Sequence, residues 1–238
     1  VSSLDARAGG GRRPVALVVA KVPVAGKVKT RLAATVGPEP AARLAHAALL
    51  DTLDACESAF GAGRCHLALA GELDELEPEV GARLRQRLAG WSVLQQRGVG
   101  FGARLEHAHD DVHRLAAAPV VQIGMDTPHL DPAVLLEAGA HAIRGRPALG
   151  LAHDGGWWVL ASAVAGDVAG LGQVAMSTPR TGSETLNRLR RINPATEVVA
   201  SMRDIDDAAD AELAAADAPH TRFASAWRDL DRRLAREG

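Results

Sequence analysis

The run Val15-Ala16-Leu17-Val18-Val19-Ala20 contains no polar side chain. A strand with one wet face alternates apolar and polar residues; an unbroken apolar run of this length suits a strand buried on both faces. Pro119 to Ile123, apolar but for Gln122, also reads as a buried strand, and Cys65 to Ala70 and residues 91–95, 147–152, 157–163 and 196–200 read as further strands. Helical patterns fill the intervals. Pro38 opens a helix to about Phe60, with Leu44, Ala48, Leu49 and Leu53 at helical spacing. Residues 72–88 form a charged helical stretch that Pro78 and Gly81 break or shorten. Helices are also expected after Gly102, over Pro132–Arg144, from an N-cap at Ser183 to about Arg191, and through most of the tail from Asp206. A loop is expected from Lys21 to about Gly37. Alternating strands and helices predict an α/β layer structure around a mainly parallel sheet. It occupies one domain, residues 14–238, preceded by a Gly- and Arg-rich disordered tail, residues 1–13.

Composition removes several function classes. A net charge of −2 gives no pull toward nucleic acid or anionic membrane, and 3% aromatic residues with no Tyr leave no base-stacking platform. No apolar segment reaches bilayer length and no signal-peptide pattern is visible, so a soluble cytoplasmic protein is expected. Cys56 and Cys65 have neither CxxC nor zinc-finger spacing and read as buried small hydrophobes.

The polar residues that remain cluster at strand ends. Gly124-Met125-Asp126-Thr127-Pro128 follows the run ending at Ile123, so Asp126 stands where a strand gives way to a turn, the edge at which open α/β sheets bind ligands. After the first strand, Gly26-Lys27-Val28-Lys29-Thr30-Arg31 spaces three cations so that an extended chain projects them together. They suit a di- or triphosphate clamp, with Gly26 allowing close backbone approach; a solvated basic turn is the alternative. It is not a P-loop, because Lys21 and Val28 stand where that pattern needs Gly and Ser or Thr.

Asp204 and Asp206 follow the last strand and point the same way if extended. With Asp126 they could hold a hard cation, Mg²⁺ or Mn²⁺, or else Asp206, Asp207 and Asp210 serve a helix N-terminus. Asp154-Gly155-Gly156 either builds a hairpin turn or admits a ligand beside a carboxylate. Gly98-x-Gly-x-Gly102 is not the dinucleotide fingerprint. His107, His109 and His113, among Asp110, Asp111 and Arg114, read as the solvated face of a helix rather than a metal cluster.

In order, these pieces resemble a bacterial family of GT-A-like transferases often found beside radical-SAM genes. The carriers are Lys21-x-Pro23-x-x-Gly26-Lys27-x-Lys29-Thr30-Arg31-Leu32, Gly98-x-x-x-Gly102-x-Arg104, Gly124-x-Asp126-Thr127-Pro128, Asp154-Gly155-Gly156-Trp157-Trp158 and Asp204-Ile205-Asp206. The first and third also look like those of phospholactate and molybdenum-cofactor guanylyltransferases. The resemblance implies a single three-layer α/β/α nucleotide-diphospho-sugar transferase domain with a mixed, mostly parallel sheet. By that similarity Gly26, Lys27, Lys29, Arg31, Gly102 and Arg104 bind nucleotide, and Asp126, Asp206 and Asp204 hold metal. Lys27, Asp126 and Asp154 serve catalysis, with Asp154 on the acceptor side. Gly100, Leu151, Trp157-Trp158 and Met176 depart from the usual Asp, Pro, Tyr and aromatic residues, mainly in the acceptor half.

The expected partners are a nucleotide, as NTP or nucleotide sugar, and a small-molecule acceptor. The expected reaction is Mg²⁺-dependent nucleotidyl transfer with release of pyrophosphate. Glycosyl transfer from a nucleotide sugar and nucleotide binding without catalysis are the alternatives. Gly124 at the first place of an Asp-x-Asp pattern favours the nucleotidyl version.

Overall fold

The computed structural model describes residues 13–237, so the expected disordered tail lies outside the described residues except for Arg13. Every expected strand forms: β1 (Val15–Lys21), β2 (Cys65–Ala70), β3 (Ser92–Gln95), β4 (Val120–Gly124), β5 (Ala148–Ala152), β6 (Trp157–Ser162) and β7 (Glu197–Met202). They make one sheet in the order β3-β2-β1-β4-β6-β5-β7. All neighbours pair in parallel except at β6, which runs antiparallel to both β4 and β5. β1 lies between β2 and β4, and Val15 to Ala20 are all buried, as its apolar sequence requires.

Eight helices are described: α1 (Thr30–Val36), α2 (Pro38–Phe60), α3 (Pro78–Arg87), α4 (Phe101–Ala116), α5 (Pro132–Ile143), α6 (Thr181–Ile192), α7 (Ala208–Asp217) and α8 (Arg222–Glu237). On one sheet face Ala16, Val18 and Ala20 meet α2, α5 and Leu84 of α3. On the other, Val15, Leu17 and Val19 meet α4 and Leu189 of α6. Three layers with a mixed, mostly parallel sheet result. A further cluster, including Leu32, Leu44, Ile205 and Phe223, packs α1, α7 and α8 onto α2.

Some boundaries differ from expectation. The loop after β1 ends early in α1, where Leu32 and Val36, one turn apart, are both buried. Pro23 and Gly26 masked this short helix in the sequence. Ser183 is not an N-cap: α6 starts at Thr181, and the Ser183 hydroxyl donates to the Arg180 carbonyl at 2.9 Å. The tail is two helices separated around Pro219. Residues 72–88 break as Pro78 suggested, into a single turn at Leu73–Glu75 and then α3.

Asp51 on α2 ties the last helix down. It is 8% exposed. Its carboxylate accepts the backbone N–H of Arg222 at 3.1 Å and of Phe223 at 2.8 Å, and the Arg222 guanidinium at 3.2 Å. A buried carboxylate is costly without donors, and the free N–H groups opening α8 supply them. Both cysteines are buried and unpaired; burial pushes the Cys65 thiol up to about 12 and Cys56 well above its usual range. Neither is an accessible nucleophile. Among the described residues no helix is long and apolar enough to cross a membrane.

Candidate active site

β1, β4, β5 and β7 run in the same direction, so the segments after them emerge at one edge of the sheet. The antiparallel β6 begins at that edge. Asp126 follows β4, Asp154 sits in the turn between β5 and β6, and Asp204 follows β7. All three line one cavity of about 280 Å³. Carboxylates far apart in sequence are thereby gathered beyond strand ends, the position expected of an α/β ligand site.

The three carboxylates are not equivalent. Asp204 is the most enclosed: burial, then Asp126, Asp154 and Asp206, push its carboxyl up to about 7, and only Lys29 opposes the rise. Asp126 is 42% exposed and pairs with the Lys29 ammonium at 2.9 Å. Asp154 is exposed, and its Oδ1 accepts the Gly156 N–H at 2.8 Å. Asp206 turns instead to Arg31, at 2.9 Å. Asp207 caps α7 by accepting the Asp210 N–H at 3.0 Å, and Asp210 accepts the Asp206 N–H at 3.1 Å. The two readings of the acidic run are therefore divided between its members. Asp204 reaches the cavity, and Asp207 and Asp210 serve the helix.

The loop cations do not project together, because the chain there is not extended. Lys29 takes φ 47°, ψ 45° and starts α1. That left-handed conformation is costly for a side chain with a Cβ, of order 1–2 kcal/mol, and it aims Lys29 inward. Its ammonium, 9% exposed, bridges Asp126 and the Ile205 carbonyl, the latter at 2.5 Å. Lys27 diverges to Glu75, at 2.5 Å, and Gly26 opens the turn with φ 75°. Lys29 and Arg31 thus touch the acidic cluster; Lys27 does not.

Glycines of the expected motifs have distinct roles. Gly102 is a packing glycine: a Cβ there would lie 2.6 Å from the Leu171 carbonyl oxygen. Arg104, on the same helix, stacks 5.8 Å above the Phe101 ring, and its Nε is buried without a partner. The Asp154-Gly155-Gly156 turn is a hairpin tip pressed against the segment entering α6. Gly155 has φ 90°, and a Cβ on it would sit 2.2 Å from the Pro179 oxygen. The Gly182 N–H donates to the Gly155 carbonyl at 2.8 Å. This backbone contact fixes Asp154 relative to the wall formed by Met176, Ser177 and Thr178. Gly124, by contrast, has room for a Cβ, whose nearest neighbour would be the Asp126 nitrogen at 4.0 Å.

Several cavity residues were given no role by the sequence. Thr127 is buried with its hydroxyl unpartnered, Ser177 takes φ 59°, and Gln122 lies on the cavity floor. The signal for Gln122 was an amide inside an otherwise apolar strand. Trp158 is buried and its indole donates to the Ala200 carbonyl at 2.9 Å, leaving Trp157 the more open of the pair.

The histidines of α4 correct the expectation of a solvated face. His109 is fully buried, its Nδ1 3.0 Å from the Ser162 hydroxyl, and His113 Nε2 meets the same oxygen at 2.9 Å. Leu105, Ala108, His109 and Val112 share the inward face at helical spacing, while Asp111 and Arg114 turn out.

Among the described residues no group of three His, Cys, Asp or Glu side chains is arranged to hold a metal ion unaided. The donor set nevertheless fits Mg²⁺ or Mn²⁺ in the manner of phosphate-bound cations, which use one or two carboxylates together with phosphate oxygens and water. The crowding of three carboxylates around Asp204, against a single ammonium, is the physical sign of that fit.

Comparison with solved structures supports the same fold. A protein from Desulfovibrio desulfuricans G20, assigned to the nucleotide-diphospho-sugar transferases, aligns over 94% of this chain and 97% of its own, at TM-score 0.79 and 20% identity. A cytidylyltransferase from Leptospira borgpetersenii serovar Hardjo-bovis aligns over 94% of each chain at TM-score 0.54 and 12% identity. Rv0371c from Mycobacterium tuberculosis H37Rv aligns over 85% of this chain and 97% of its own at TM-score 0.52 and 22% identity. Identities this low speak to architecture, which is that of nucleotide-diphospho-sugar transferases. No curated protein matches the chain. A family profile matches residues 52–178, more than half of the sequence, and the chain belongs to that family, described as "Uncharacterized protein conserved in bacteria (DUF2064)".

Proposed function

We propose that the protein is a Mg²⁺- or Mn²⁺-dependent transferase that moves a nucleotidyl group from an NTP to a small phosphorylated or hydroxyl-bearing acceptor, releasing pyrophosphate. The observation that carries this reading is the meeting of Asp126, Asp154 and Asp204 in one cavity, with Lys29 as the cation inside their cluster. The resemblance in fold to a cytidylyltransferase and to a nucleotide-diphospho-sugar transferase agrees with it.

In this reading an acceptor oxygen attacks the α-phosphorus, and the bond from that phosphorus to the bridging oxygen of pyrophosphate breaks. Asp126 and Asp204 would hold the divalent ion, which when bound neutralises charge on the phosphates. Lys29 and Arg31, paired with Asp126 and Asp206, lie beside those carboxylates and can exchange a carboxylate for a phosphate oxygen. Arg104, stacked on the cavity-lining Phe101, has a buried Nε without a partner. Asp154, exposed on the cavity wall, would act as base toward a hydroxyl acceptor. Glycosyl transfer is the second reading: Trp157 and Trp158 give the cavity a wall suited to a sugar, and Asp154 would again be the base.

The test is incubation with each NTP, Mg²⁺ or Mn²⁺ and a set of sugar phosphates and polyols, followed by pyrophosphate assay. Pyrophosphate dependent on both metal and acceptor supports nucleotidyl transfer. Release of UDP or GDP from nucleotide sugars supports the second reading. Nucleotide-dependent thermal stabilisation without turnover would leave a binding module and refute both.

A further inference from the structure

Between α4 and the sheet the packing is apolar, through Leu105, Ala108, Val112, Val120 and Leu160, except for one line of polar side chains. Ser162 on β6 lies opposite Val120, and Gln122 on β4 lies opposite Leu160. Side chains two apart on a strand share a face, so Gln122 stands beside Ser162 but one step nearer the cavity edge. His109 and His113, one turn apart on α4, both reach the Ser162 hydroxyl, at 3.0 and 2.9 Å. The Gln122 side chain reaches the His109 ring, and Ala118 makes a backbone hydrogen bond to His113 that raises its value, as an accepting carbonyl does and a donating N–H does not. The line therefore runs Ala118, His113, Ser162, His109, Gln122, and it ends at the cavity.

Its polarity follows from the fixed end. A carbonyl only accepts, so His113, with Nε2 at Ser162, gives its proton from Nδ1 to Ala118 and keeps Nε2 as an acceptor. Ser162 then donates to His113 and accepts from His109 Nδ1–H. His109, fully buried and held neutral, is left with a bare Nε2. His109 Nε2 and Gln122 Oε1 are each buried without a hydrogen-bond partner, as two facing acceptors must be. A half-turn of the amide, whose two ends differ little in size, sets its N–H₂ on His109 and its oxygen toward the cavity. A buried amide oxygen left at the open end of such a chain needs a donor from outside the protein.

We propose that this chain holds the Gln122 carbonyl oxygen at the cavity floor as a fixed acceptor, selecting ligands that bring a hydroxyl or N–H donor to that depth, as a sugar ring does. The inference rests on reading the cavity as the acceptor side of a transferase. Gln122 is a positioning and specificity residue in it, and Ser162 and the two histidines act through Gln122.

Two measurements on the full chain test it. Nitrogen-15 histidine spectra at pH 7.5 should show His109 and His113 both protonated at Nδ1, and Ser162→Ala should leave His109 a mixture of tautomers. An Nε2–H form of His113 in the unsubstituted protein overturns the relay. Calorimetric titrations with CTP, GTP, UDP-glucose and glucose 1-phosphate, with Mg²⁺, compare the unsubstituted protein with Gln122→Met. UDP-glucose and glucose 1-phosphate, which carry a hexose, should bind about 3- to 10-fold more weakly to the variant, the loss of one neutral hydrogen bond, while CTP and GTP, which carry none, bind unchanged. Equal weakening of every ligand, or none, overturns the selection. If the unsubstituted protein binds none of them, the transferase reading fails together with the ligand half of this inference, and the tautomers still decide the relay.

Discussion

Replacing Asp204 with Asn removes a charge that the folded protein holds at a cost. The carboxyl titrates at about 7 in the fold against an ordinary value of 3.8, so folding favours its protonated form. Its contribution to stability is complete below about pH 4, shrinks as pH rises, and is fully lost above about pH 7. At about 1.4 kcal/mol per pH unit, the shift sets an upper bound of roughly 4 kcal/mol at pH 8, and the site's partial opening to water brings this to roughly 2–4 kcal/mol. A side-chain amide cannot ionise, so the variant escapes the loss. The Asp204→Asn protein should exceed the unsubstituted one by about 2 kcal/mol more at pH 8 than at pH 5, a thermal gap of roughly 4–8 °C. Urea denaturation at both pH values, with EDTA present, measures the difference and cancels every group the two proteins share. Adding Mg²⁺ or Mn²⁺ should then raise the stability of the unsubstituted protein more than that of the variant. A gap that stays constant or shrinks between pH 5 and pH 8 would refute the picture of a carboxylate crowded by its own kind.

Further expectations concern groups outside that cluster. His109 is held neutral, with its value lowered to about 3 by burial and then by His113, so its stabilising effect is full above about pH 6.5 and declines as pH falls toward 3. At pH 5 the decline amounts to about 2 kcal/mol, and His109→Gln should flatten the acid limb of a stability profile; an unchanged limb would show that the ring is not the cause. Gly182→Ala places a Cβ 2.3 Å from the Gly156 carbonyl oxygen, and should cost about 2–3 kcal/mol by thermal denaturation, whereas Gly124→Ala, with its nearest neighbour 4.0 Å away, should cost less than about 0.5 kcal/mol. Asp51→Ala leaves the opening N–H groups of α8 unpaired and should cost roughly 2–4 kcal/mol, with the largest rise in amide exchange over residues 222–230.

The strands were legible because apolar runs bounded by Gly and Pro leave few alternatives, and Val15 to Ala20 needed no tertiary information to be placed at the centre. Asp126 was legible for the same reason, since it follows such a run immediately. The cation loop was not. Its reading assumed an extended chain, and the left-handed turn at Lys29 together with the start of α1 sends Lys27 away from its neighbours. The buried histidines were misread because their charged neighbours, Asp110, Asp111 and Arg114, outweighed the helical spacing they share with Leu105 and Val112. Gln122 was passed over although a lone amide in an apolar strand is costly unless something meets it. Local pattern reports what each segment is. Which acids share a cavity depends on strand direction, and only the sheet order supplies that.

The anchoring of α8 by Asp51 has a consequence for biosynthesis. α2 covers the centre of the sheet early in the chain, yet its carboxylate waits for donors from the last described helix, 171 positions later. During synthesis the Asp51 carboxylate therefore lacks these donors until α8 has been translated, and closure over α2 is deferred to that point. Ribosome-stalled chains ending before Arg222 should remain protease-sensitive in α2, and those extending past α8 should not.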